Sequence, residues 1–483
     1  MKTSPEASSP STPIVLRLSK KRTFTIGFAF FGILLLWQVY DSWCPTFLQE
    51  LFMKALGTSD SLQVQYLVGI MMALDNLAAL ILMPIFGRLS DKTRTPLGKR
   101  MPYILVGTFV CAVAFPFIPV FFHYNNPVGV IVMMAVVVSF AMMYRNPAVA
   151  LMPDLTPKPL RSKANGIINI MGYLGGACAT FVGMAFVLTD YLGKGKDTWA
   201  KGNIWAIETP FLVASALMVA SAVVLALTIR ENELEAKLAA EIEEGERLAA
   251  VVDSVEHDDT EKMSKANKTM LWLILLAEFF WFMSDNGVGT FMLNYSINFL
   301  GASSASNMVM IIIGGVGSVV GFAIGGFIAE RIGRKWTIFA GLCLSLLGLL
   351  LWLILEFSIG RGAYNPKTGY HAFPWYLYVV WGLKGFGMSL VHLNSFPMVV
   401  ELCSKKKVGQ FTGYYYMASM SAQTITPVLL GLLLLAKGLD WSFLPIYALI
   451  TLGLSALIFF FVKNVKASKV AISKGLEGLG QEE

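Results

Sequence analysis

Long apolar runs separated by short polar links recur along the whole chain, at 24–46, 62–87, 102–122, 128–151, 166–190, 207–229, 270–299, 307–331, 335–357, 374–400, 410–435 and 440–463. About twenty apolar residues in an α-helix cross the ~30 Å hydrocarbon layer, and only a helix or a closed barrel satisfies its own backbone there. The pattern predicts an all-α polytopic membrane protein with twelve transmembrane helices in two pseudo-symmetric six-helix bundles. The bundles occupy 23–229 and 269–463, with tails at 1–22 and 464–483 and a charged linker at 230–268. Within the linker, Leu234, Leu238 and Ile242 recur every four residues, the spacing of an amphipathic helix lying on the membrane face.

The halves repeat each other. Trp37-x-x-x-Asp41 in the first run matches Trp281-x-x-x-Asp285 in the seventh, about 240 residues later, as expected for a duplicated carrier. The turn at Gly87-Arg88-Leu89-Ser90-Asp91, with Arg94 beyond it, has a reduced copy at Gly326 to Lys335 carrying Glu330, Arg331 and Arg334, and Asp154 matches Glu401.

Composition narrows the function. The chain is 55% hydrophobic and 14% charged, and its net charge of +7 reflects topology rather than a nucleic-acid surface. With both termini in the cytoplasm, about 29 of the Lys and Arg residues fall on that side and about 7 on the other. The Ser/Pro-rich first twenty residues have no cleavage site and read as a tail, not a signal peptide. Cys44, Cys111, Cys178, Cys343 and Cys403 have neither disulfide nor zinc spacing, and the four histidines form no metal pattern. No Gly-Lys-Ser/Thr phosphate loop is present, so neither an ATP-driven pump nor an enzyme is expected, and no cofactor.

The segments Asp75-Asn76, Pro84 to Asp91, Gly98-Lys99-Arg100, Arg145-Asn146-Pro147, Leu151 to Pro157 with Arg161, and Asn394 to Glu401 resemble the major facilitator superfamily. More narrowly, they resemble its sucrose-type sugar-proton symporters and the neighbouring glycoside-pentoside-hexuronide cation symporters. The resemblance implies a carrier fold in which helices 1, 4, 7 and 10 line the solute path, and charged turns that hold the outward-open state. It makes symport of a disaccharide such as sucrose or maltose with protons the leading expectation for a monomer in the plasma membrane. Sodium coupling and antiport of another small solute are the alternatives.

Charged groups inside the runs are the natural coupling candidates, because an ionised side chain near the bilayer centre costs on the order of 3 kcal/mol unless paired or hydrated. Asp41 comes first, then Asp75, Asp285 and Glu278. Candidate solute contacts are Trp37, Gln38, Asn76, Arg145, Asn146, Trp281, Asn286, Lys384, His392, Asn394 and Gln423. Candidate gating residues are Gly87, Arg88, Asp91, Arg94, Asp154, Arg161, Glu330, Arg331, Arg334 and Glu401. Helices 7 and 10 run in opposite directions, so a 1.5 Å rise per residue puts Asp285 level with Lys384 and Glu278 level with His392. The first two are expected to pair. Arg145 is expected either to reach Asp75 or to line the cavity alone.

Overall fold

A computed structural model describes residues 16–256, 265–400, 402 and 408–463. The first half contains α1 (Lys20–Leu56), α2 (Gln65–Lys92), α3 (Met101–Ala114) continued by α4 (Phe117–His123), α5 (Pro127–Asp154), α6 (Arg161–Ala185), the single turn α7 (Leu188–Tyr191) and α8 (Ile204–Thr228). The linker forms α9 (Glu231–Glu256). The second half contains α10 (Lys265–Asn298), α11 (Ser304–Ile332), α12 (Arg334–Ile359), a two-residue hairpin of β1 (Tyr364–Asn365) and β2 (Tyr370–His371), α13 (Trp375–Val400), α14 (Val408–Leu434) and α15 (Phe443–Phe460).

Local chemistry sets the helix starts. Ser19, Asn126, Asn203 and Ser303 each turn a side-chain oxygen onto an amide of the first turn of α1, α5, α8 and α11. Among the described residues, eleven helical segments are long and apolar enough to cross a membrane. Helix α13 is not among them; it is 26 residues long but carries Lys384, His392 and Asn394. Its polarity reflects its position, packed on α11 and α12 with one face toward the centre of the molecule. The protein is an integral membrane protein with two apolar cores, one in each half.

Hydrogen bonds between the halves gather on one side of the molecule. The face that bears the start of α1 and the linker is here called the linker face. Among the described residues, every hydrogen bond crossing the seam lies in the opposite, far half of the molecule or, for Asn76, at mid-depth. Thr46 Oγ1 donates to Asn294 Oδ1 at 2.8 Å, and Asn298 Nδ2 donates to Gln49 Oε1 at 2.9 Å, an oxygen that also accepts from Gln65 Nε2 at 2.9 Å. Trp441 Nε1 donates to Ser61 Oγ at 3.1 Å, and Tyr370 Oη to Asp190 Oδ1 at 2.6 Å. Burial and the Asp190 carboxylate push the Tyr370 phenol up.

Helix α9 lies against the linker face of the first half. Leu238 is buried, and Leu234 and Ile242 pack on the same core, as their spacing predicts. Glu231 docks it: one carboxylate accepts from the amides of Arg100 at 2.9 Å and Met101 at 3.1 Å, capping α3. Gly98 makes this approach possible, with φ 116° and a Cβ position only 2.1 Å from Glu231 Oε2. Burial pushes the Glu231 carboxyl above its ordinary range, opposed by the amides it accepts from and by Lys99. Burial also works against the Lys99 ammonium, but Glu235 and Asp154 outweigh it and hold it above the usual lysine range. Glu231→Ala leaves two buried amides without an acceptor, a loss of about 1–3 kcal/mol. Limited proteolysis is expected to cut α9 faster in that variant and at an intermediate rate in Glu231→Gln; equal rates in all three proteins would show that the cap does not hold the helix.

Candidate functional site

At mid-depth α1, α2, α5, α6, α10, α11 and α13 contribute polar and aromatic side chains to the interior. Asp41 shows where the water is: protein surrounds it on all sides, yet its side chain remains exposed. Around it stand three further polar groups of the first half. Tyr40 Oη donates to Asp75 Oδ2 at 2.7 Å. The Arg145 guanidinium lies in the field of Asp41 and stands 6.0 Å from the centre of the Trp37 ring. Gln38 Nε2 donates to Ser42 Oγ at 3.0 Å, along α1 itself.

The second half contributes a cavity of about 230 Å³ lined by Asp285, Trp381, Lys384 and His392, with Phe322 of α11 and Tyr173 of α6 closing it. Tyr173 and Phe322 meet across the seam with ring centres 6.3 Å apart, so both halves build the site. Lys384 Nζ donates to Asp285 Oδ1 in an ion pair, at the level the antiparallel helices imply. His392 packs its ring against Phe282, 5.4 Å between centres, and faces Asp285 and Lys384. Asp285 is thus ion-paired with Lys384, Asp41 lies in the field of Arg145, and Asp75 holds a phenolic donor.

Several sequence candidates do not line this space. Asn76 Nδ2 donates to the carbonyls of Met72 and, across the seam at 3.1 Å, Gln423, and Asn394 Nδ2 to that of Leu390. Asn146 Nδ2 donates to the Met83 carbonyl at 2.8 Å, against Gly87, where a Cβ would stand 2.3 Å away. Asn76 and Asn146 thereby tie helices together, whereas the Asn394 bond runs one turn back along α13 itself. Gln423 takes part through its carbonyl. Trp281 lies fully buried in the core of the second half with its Nε1 unpartnered, so the aromatic beside the Asp285 pair is Trp381 instead. Asn286 is partly buried, its Oδ1 without a partner.

Glu278 does not meet His392 by hydrogen bond or ion pair. It is fully buried, both its oxygens lack a partner, and Tyr415 of α14 lies in its field. Arg145 does not pair with Asp75 either; Tyr40 occupies that carboxylate.

The charged turn of the first half is held by ion pairs. Arg100, absent from the sequence candidates, joins Asp91 of the first turn, at 2.5 Å, to Asp154 at the end of α5, at 2.9 Å. Lys99 adds a contact to Asp154 at 3.3 Å. Arg161 serves the last carbonyls of α5, donating to Pro153 O at 2.8 Å and Thr156 O at 3.1 Å. Arg88, Glu330 and Arg331 are exposed and form no ion pair among the described residues, and Arg94 reaches only the carbonyl of Thr93 at 3.5 Å. Arg334 starts α12, and Glu401 lies outside the described residues. The polar residues of the far seam, Thr46, Gln49, Gln65, Asn294 and Asn298, are absent from the sequence candidates, although they are legible there as uncharged polar positions in or beside apolar runs.

The family model of the Major Facilitator Superfamily matches residues 38–326 and again 274–479. A comparison with curated proteins returned no match. Among solved structures, a POT family transporter in complex with 5-aminolevulinic acid superposes with a TM-score of 0.63 at 13% identity, covering 92% of this chain and 95% of that one. The inward-open xylose transporter XylE from E. coli gives 0.62 at 14% identity, covering 95% and 98%. A bacterial homolog of the human lysosomal transporter Spinster, inward-facing and occupied, gives 0.61 at 11% identity, covering 91% and 95%. At these identities the likeness is one of fold.

Proposed function

The chain belongs to the Major Facilitator Superfamily, and on that premise we propose that it is a proton-coupled symporter of a neutral, hydroxyl-rich ring solute, a disaccharide such as sucrose or maltose. The observation that carries the reading is that the central cations each face a carboxylate. With Lys384 against Asp285 and Arg145 in the field of Asp41, no fixed positive charge is left over to attract an acid. What remains is aromatic wall and hydrogen-bonding edge: Trp381, Tyr173, Phe322 and Trp37 beside carboxylates and His392. Ring faces of sugars stack on such walls while their hydroxyls bond to such edges. Two of the solved neighbours fit different solutes: XylE is a xylose transporter, and the POT structures are of peptide transporters.

In this reading the linker face is cytoplasmic, both termini lie there, and the far seam is the closed outer gate of an inward-facing state. The chain works as a monomer in the plasma membrane. The bundles rock about the central site, and a carboxyl that meets water on one face and then the other takes up and releases a proton, because hydration and neighbouring charges change its preference.

Purified protein in liposomes is expected to accumulate labelled sucrose or maltose when the lumen is alkaline, with no added effect of sodium. Uptake that requires sodium favours the cation-coupled alternative. Uphill movement of a labelled dipeptide in place of both sugars would overturn the proposed solute class.

A further inference from the structure

A buried acid outside the central cavity has no place in the mechanism above. Glu356 of α12 is nearly inaccessible and accepts, on Oε2, from Trp352 Nε1 at 2.7 Å and from Tyr295 Oη. Its Oε1 has no partner. Trp352 is fully buried, and its ring meets that of Trp381 with centres 5.5 Å apart and planes tilted by 59°. Trp381 in turn lines the cavity, with Lys384 Nζ 5.9 Å from its ring centre. Its Cδ1 lies against Gly314 of α11, where a Cβ would stand 3.0 Å away.

We infer that Glu356 is a positioning residue for the aromatic wall of the solute site. It fixes Trp352 through the indole N–H, and the contacts with Trp352 and with the bare backbone at Gly314 hold Trp381 beside the Asp285–Lys384 pair. An indole N–H bonded to a carboxylate is a strong, directional restraint, whereas apolar packing alone lets a flat ring slide. Tyr295 ties the same carboxylate to α10, the helix that carries Asp285, so wall and ion pair are held from one point. This inference rests on the central cavity being the solute site and adds a residue that sets how tightly the site grips.

The test uses the full chain in lipid nanodiscs, labelled with 5-fluorotryptophan, and the same proteins in liposomes with labelled sucrose as the probe. The Trp381 line is assigned by its disappearance in Trp381→Phe. Glu356→Leu is expected to move or broaden that line, and Glu356→Gln, which retains an acceptor oxygen, to leave it in place. In transport, Glu356→Leu is expected to raise KM for sucrose about tenfold with kcat within about twofold, and Glu356→Gln to restore it. Trp352→Phe, which retains a ring but loses the N–H, gives a second route to the same line shift should the leucine variant fail to fold. An unmoved Trp381 line in a folded Glu356→Leu or Trp352→Phe protein overturns the positioning role. If the wild type moves no sucrose, the sugar reading fails, and the fluorine spectra still decide the role of Glu356.

Discussion

Asp41→Asn is expected to abolish pH-driven accumulation while leaving exchange of solute across the membrane intact. Asp41 is a carboxyl that remains exposed although protein surrounds it, and Arg145 on α5 lies in its field. Exchange moves no net proton, so it tolerates a neutral amide; accumulation does not. One charge moving down about 100 mV is worth about 2.3 kcal/mol, an accumulation of about fiftyfold. The variant is therefore expected to bring internal solute only to the external concentration, measured in liposomes with an imposed gradient, while counterflow continues at near wild-type rate. Undiminished accumulation would move the coupling role to Asp75, which lies in the field of Asp41 and carries the hydrogen bond from Tyr40.

Much of this architecture was legible because hydropathy and length are local properties. A twenty-residue apolar run needs no neighbour to declare it a span, and the spacing of Leu234, Leu238 and Ile242 announces the buried stripe of α9. Depth was legible too: two antiparallel helices with a fixed rise put Asp285 beside Lys384. Rotation and partner choice were not. Trp281 precedes Asp285 by four residues, but four residues turn a helix about 40° past one full turn, enough to bury the ring under the second core while Asp285 faces the cavity. The amides of Asn76 and Asn146 look like solute ligands, yet each bonds a carbonyl that only tertiary packing brings within reach, while Asn394 bonds one turn back along its own helix. Arg100 was hidden for the opposite reason: it follows the turn that seemed complete without it, and its partner Asp154 lies on another helix.

The ion pair in the second half makes the sharper test of the site. Removing one member of a fully buried pair costs about 3–5 kcal/mol, because the partner is left as an uncompensated charge. Here Lys384 is shielded, with 12% of its side chain exposed, while Asp285 retains 40% toward the cavity water. Water screens part of the orphaned charge, so the loss for each single variant is expected at roughly 1–3 kcal/mol. The asymmetry gives a direction as well. Asp285→Asn leaves the less hydrated ammonium behind and is expected to lower thermal stability more than Lys384→Met, whose surviving carboxylate faces water. The double variant leaves neither charge and is expected to recover part of the sum, a coupling that a double-mutant cycle on melting temperature and on sugar uptake reads directly. Strictly additive losses would show that the two side chains stabilise the bundle independently. In that case Lys384 carries a charge with no fixed counterpart in the cavity, the solute site becomes suited to an acidic ligand, and the argument for a neutral sugar loses the observation on which it stands.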